Sequence, residues 1–79
     1  MQKMLQDLSI GKNIRSIRKE HGLTQSQLVA QMQTYGSTLT DTALAKIEGG
    51  YRNIRVSDLV ILKTIFKVSY DRFFDELSV

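Results

Sequence analysis

A helix-ending signal and a helix-starting signal stand almost side by side near the front of this chain. Ile10, Ile14 and Ile17 recur at i, i+4 and i+7, the spacing of one helix face, while Lys12, Arg15, Arg18 and Lys19 fall on the others. Gly22 follows, where a left-handed residue ends a helix. Two residues on, Thr24-Gln25-Ser26-Gln27 has the form of a capping box, with Gln27 placed to reach back to the Thr24 amide. Leu28, Met32 and Tyr35 then continue at i, i+4 and i+7, and Val29 widens the stripe. A second helix is therefore predicted to run to about Tyr35 and to stop at Gly36. Punctuation this dense commits the chain to short helices with brief links.

The same grammar continues downstream. Thr40 is the next N-cap candidate, with Leu39 and Leu44 at the two positions of a hydrophobic staple. Ala43, Leu44 and Ile47 form one narrow apolar face, and Gly49 or Gly50 ends the third helix. "YRNIR" reads as a polar loop. Ser57 is expected to cap a fourth helix carrying Leu59, Leu62, Ile65 and Phe66, with Val60 and Ile61 alongside. Apolar over most of its surface, this is the expected central helix. Ser69 is expected to cap a short fifth helix, with Val68 and Phe73 as a possible staple and Phe74 and Leu77 beyond. Upstream, Met1, Met4, Leu5 and Leu8 also show helical spacing. Either the first helix starts early or a short extra helix precedes it.

Composition narrows the class. A chain of 79 residues makes one domain, expected to span 1–79 with its core in 10–77. Apolar residues make up 42% and Pro is absent, which favours an all-α domain over a turn-rich β-fold. The longest apolar run, Leu59 to Leu62, is far short of the roughly 20 residues of a membrane helix. No basic segment followed by an apolar block opens the chain, so no signal peptide is expected. Without Cys and with one His, neither a disulfide framework nor a metal cluster is expected, and no cofactor. The lack of Cys fits a reducing cytoplasm.

The net charge of +3 is unevenly spread. Residues 1–67 hold ten basic and five acidic groups, whereas 68–79 hold Arg72 against Asp71, Asp75 and Glu76. A mildly basic body with an acidic tail suits a polyanionic partner, although many domains share this balance.

The third helix is the informative one. Its apolar face is too narrow for the middle of a core, so it packs on one side and presents Asp41, Thr42, Ala45 and Lys46 outward. Paired with the short helix before it, it makes a candidate helix-turn-helix, whose second helix can enter a DNA major groove.

"IRSIRKEHGLTQSQLVAQM", "LTDTALAKIEGGYRN" and "VSDLVILKTIFKVSYDRFF" stand in this order. With them the chain resembles the phage-repressor-like helix-turn-helix family, the Cro/C1 or xenobiotic-response-element type. The resemblance runs from about Ile10 to Leu77. Its strongest parts are R-x-x-x-G-L-T-Q-x-x-L from Arg18 and I-E-x-G from Ile47. It implies a compact five-helix lambda-repressor-like domain. This chain departs from the family's compact form by about five extra residues between Met32 and Leu39. They most simply add a turn to the second helix.

Position by position, the resemblance implies roles. Asp41, Thr42 and Lys46 match base-reading positions. Lys46 can donate to guanine, Thr42 can bond a base or touch a thymine methyl, and Asp41 can accept from cytosine N4. Asp41 also has a plainer reading, because an acid in a first helical turn suits the helix dipole without any DNA. For Lys46 the plainer reading is a solvated surface lysine. Gln25 matches a position that touches the DNA backbone; Thr24 and Thr40 cap their helices and can contact phosphate besides. The loop of Tyr51, Arg52 and Asn53 matches a segment that follows the backbone. Tyr51 can alternatively pack its ring on the core, and Arg55 is a further candidate. Arg18 and Glu48 match a partly buried ion pair that fixes the recognition helix.

The reading that follows is a sequence-specific DNA-binding regulator that binds double-stranded DNA. It is expected to be a homodimer, because one recognition helix reads few base pairs. Candidate dimer surfaces are Phe73, Phe74 and Leu77 at one end, and the stripe of Met4 and Leu8 at the other; either stripe can instead be core. The alternative is a protein-interaction module such as an antitoxin or anti-repressor, with a protein partner for the acidic tail. No catalytic arrangement recurs, so an enzyme is not expected, and His21 reads as a helix-end residue.

Overall fold

A computed structural model of the chain describes residues 10–75. The stripe of Met1, Met4, Leu5 and Leu8 lies outside the described residues, as does Leu77. Four α-helices follow in order: α1 (Gly11–Glu20), α2 (Gln25–Thr34), α3 (Asp41–Glu48) and α4 (Val56–Phe66). A 3-10 helix at Tyr70–Phe74 closes the described chain. No strand occurs among the described residues, so this is an all-α arrangement.

Local chemistry explains most of the boundaries. In the capping box of α2, the Gln27 amide donates to Thr24 Oγ1 at 3.1 Å and the Thr24 amide donates to Gln27 Oε1 at 2.9 Å. In α3, the Ala43 amide donates to Thr40 Oγ1 at 3.1 Å. At its far end the Gly50 amide donates to the Ile47 carbonyl at 3.1 Å and the Tyr51 amide to the Lys46 carbonyl at 2.8 Å. This doubly bonded ending needs a left-handed residue, and Gly50 supplies it with φ of +83° at no Cβ penalty. The same pair of bonds closes α1 and α2.

Two expected boundaries move. Ser57 does not cap α4: the helix opens at Val56 behind Arg55, and no side chain caps it. The acid in its first turn, Asp58, suits the dipole there instead. The expected fifth helix is a five-residue 3-10 segment, and Ser69 at its start makes no side-chain cap bond. Its i→i+3 bonding is the less favourable geometry and holds for short runs only.

The core draws on every element. Ile14 and Ile17 of α1, Leu28, Val29 and Met32 of α2, and Ala43, Leu44 and Ile47 of α3 are buried together with Leu39, Leu62, Phe66 and Phe73. α3 packs against both α1 and α2, α2 also packs on α4, and α1 on the 3-10 segment. α4 is not the fully buried central helix its composition suggests. Only Leu62, Phe66 and Asp58 of it are buried, while Val56 and Val60 are exposed. Phe73 is likewise core and not a candidate dimer surface. It is fully buried, its ring centroid 6.4 Å from that of Phe66, whereas its neighbour Phe74 is half exposed. Asn13 Nδ2 clamps this end by donating to the carbonyls of Phe73 and Asp75, each at 2.9 Å.

The long link between α2 and α3 is built, not loose. Ser37 Oγ accepts from the Leu39 amide at 3.0 Å and donates to Asp58 Oδ1 at 2.8 Å. The buried Asp58 carboxylate of α4 thus holds the turn that sets where α3 begins.

Candidate functional site

α3 is fastened along one side. Ala43, Leu44 and Ile47 face the core, and Glu48 at the C-terminal end is buried beside Arg18 of α1. Arg18 Nε donates to Glu48 Oε2 at 2.7 Å and Arg18 Nη2 to Glu48 Oε1 at 2.9 Å, a two-pronged pair. Arg18 Nη1 donates to the Leu23 carbonyl at 2.8 Å. Gln25 Nε2 adds a third bond to Glu48, at 3.1 Å to Oε1. One carboxylate therefore ties α1, the start of α2 and the end of α3 into a rigid joint. Gln25 is half buried there, with one amide hydrogen committed to Glu48.

The opposite side of α3 is open. Asp41, Thr42, Ala45 and Lys46 are all exposed. Thr42 and Lys46, one turn apart, make no side-chain bond within the described residues. Asp41 differs: its Oδ2 accepts a hydrogen bond from Ser26 Oγ of α2. The carboxylate that stands first in α3 thus also bridges the two helices. Sequence reasoning missed Ser26, because the capping box accounted for its neighbours and nothing local marks a partner fifteen residues away.

The loop after α3 carries the remaining candidates. Tyr51 is 87% exposed, so its ring is not in the core; it lies over Gly49. Arg52 and Asn53 are exposed and without side-chain partners among the described residues. Arg52 and Arg55 line a cleft of about 190 Å³ with Thr38, Thr40 and Asp58 at the N-terminal end of α3. A second cleft of about 200 Å³ lies toward the other end, lined by Arg15, Arg18, Gln25, Ala45, Glu48 and Gly49. The outward side of α3 is thus a polar ridge between two clefts, with exposed cations Lys46, Arg52, Arg55 and Arg15 around it.

Little else in the described residues offers a chemical site. His21 ends α1, its ring nitrogens 2.9 Å from the Ile17 carbonyl oxygen and 3.1 Å from that of Phe66. No group of three or more His, Asp or Glu residues is placed to hold a metal ion among the described residues. No helix there is long and apolar enough to cross a membrane. Comparison with protein-family models, with curated proteins and with solved structures found no match.

Proposed function

We propose that this chain is a sequence-specific DNA-binding regulator of the lambda-repressor-like helix-turn-helix type. α2 and α3 are its helix-turn-helix, and α3 is the helix that enters the major groove. The observation that carries this reading is the contrast between the two sides of α3. One side is locked to α1 and α2 by Ala43, Leu44, Ile47 and the Arg18–Glu48 pair. The other is exposed and polar, with Thr42 and Lys46 unpaired beside Asp41, and is followed by unpaired Arg52 and Asn53. A helix held this firmly with an unused polar face is suited to reading base edges.

In this reading Thr42 and Lys46 contact bases. Thr24, Gln25, Thr40, Tyr51, Arg52 and Asn53 surround them on the phosphate backbone. A homodimer on a pseudo-palindromic operator supplies the specificity that one short helix lacks. Selection of bound duplexes from random DNA, followed by salt titration, tests it. A selected motif is expected, with affinity falling by a log–log slope of about −0.9 per neutralised phosphate. Lys46→Ala is expected to relax the motif at one position, and Arg52→Ala to weaken all sequences alike. Absence of any enriched duplex, together with salt-insensitive recovery, rejects the reading in favour of a protein-interaction module.

A further inference from the structure

We infer that Arg15 of α1 is a phosphate anchor for the DNA backbone, seated beside Gln25 at the cleft between α1, α2 and the end of α3. This rests on the DNA-binding reading and extends it to a helix outside the helix-turn-helix. The cleft is lined by Arg15, Arg18, Gln25, Ala45, Glu48 and Gly49. Ala45 belongs to the exposed side of α3 and Gln25 begins α2, so the cleft opens on the proposed DNA-facing side.

Two cations line it, and they are not equivalent. Arg18 is buried, and its Nε, Nη1 and Nη2 are committed to Glu48 and to the Leu23 carbonyl. Its charge is balanced by Glu48, so the floor of the cleft is close to neutral. Arg15 stands one turn earlier on the same helix, is exposed, and has no hydrogen bond or ion pair with any described residue. The net positive charge of the cleft is therefore that of Arg15. Its five donors match the geometry of a phosphodiester. Across the cleft stands Gln25, the first residue of α2, whose backbone amide has no intrahelical acceptor. The Arg15 guanidinium on one wall and the Gln25 amide on the other make a two-sided seat for one phosphate.

The test compares Arg15→Ala and Arg15→Lys with Lys12→Ala in the full chain, on the duplex selected by the parent protein. Lys12 is an equally exposed α1 cation that lines a different cleft, with Asn13, Ser16, Glu20, Arg72 and Asp75. Arg15→Ala is expected to lower the salt slope by about 0.9 for each half-site and to bind roughly fivefold more weakly per half-site at about 0.15 M salt. The selected motif and the helical circular dichroism stay as in the parent. Arg15→Lys keeps the slope and loses only part of the affinity, because it keeps the charge and loses the fork. Lys12→Ala leaves both unchanged. Arg15→Ala behaving like Lys12→Ala, on DNA that the parent binds, overturns the anchor while the DNA reading stands. A changed motif overturns it in favour of a base contact. Failure of the parent to bind any duplex removes the DNA reading and the anchor together.

Discussion

Glu48 accepts three hydrogen bonds, two from Arg18 and one from Gln25, and is almost shielded from water. Such a pair contributes little net stability against a well-packed apolar replacement, because desolvating both charges offsets their attraction. Losing one partner is another matter. Glu48→Ala leaves the Arg18 guanidinium buried and unpaired and is expected to cost about 3–5 kcal/mol in urea unfolding. The double variant Arg18→Met, Glu48→Leu is expected to be more stable than that single one. A double variant no more stable than Glu48→Ala contradicts the assignment of the loss to a stranded charge. Asp41 poses a smaller question at the same scale. Its carboxylate accepts from Ser26 and stands in the first turn of α3, so its work is largely met within the protein. Asp41→Asn is expected to lose roughly 0.3–1 kcal/mol of stability through the helix dipole and to keep the selected DNA motif. A changed preference at one base pair makes Asp41 a cytosine reader instead.

Helix placement, more than helix formation, decides whether such a site exists. The limits of α2 and α3 were legible in the sequence because each cap and each terminal glycine bonds to a residue three positions from itself. The start and the outer face of α4 were not. An apolar run carries no mark of which side a short chain can cover, and Val56 and Val60 stay exposed. The joints between elements were also hidden. Ser37–Asp58 and Ser26–Asp41 connect residues 21 and 15 apart, a reach no periodicity encodes. Arg18–Glu48, 30 apart, was legible only through the family resemblance. Gly11 shows how tight one joint is. A Cβ built there falls 1.8 Å from the Ile47 carbonyl oxygen, so α1 and the end of α3 meet backbone to backbone. Gly11→Ala is expected to destabilise by at least the roughly 1–3 kcal/mol of an overpacked core. Under conditions where it remains folded by circular dichroism, it is also expected to bind DNA more weakly, because α3 must shift. Gly49→Ala makes the useful contrast: its Cβ meets the exposed Tyr51 ring at 3.0 Å, which can swing away, and the Ala45 carbonyl oxygen at an ordinary 3.4 Å. Equal losses in the two variants would show that the α1–α3 contact does not position α3.

At the scale of the molecule the charges separate. Beyond α4, Lys67 and Arg72 stand against Asp71 and Asp75, and Arg72 is paired with Glu20 at 2.9 Å, so that end is largely balanced. Of the unpaired cations, Arg15, Lys46, Arg52 and Arg55 lie around α3, whereas Lys12, Lys19 and Lys67 stand elsewhere; the first four would orient the molecule on a polyanion. On the proposed DNA-binding reading, a dimer would form away from α3 so that both copies of α3 face one side of the duplex, about 34–36 Å apart along it. Phe73 and Phe74 separate the dimer question from the folding question. Phe73 is fully buried near Phe66, so Phe73→Ala is expected to cost about 3–5 kcal/mol whether or not a dimer forms. Phe74 is 49% exposed, so its ring is open to a partner. Phe74→Asp is therefore expected to leave the monomer folded while shifting sedimentation equilibrium toward monomer. Two-half-site DNA should then bind with the weaker affinity of a single half-site. If Phe74→Asp sediments as the parent does and protects both half-sites, this end of the molecule is not the dimer surface. Symmetry must then be supplied elsewhere, with the exposed side of α4 at Val56 and Val60 the next surface to substitute.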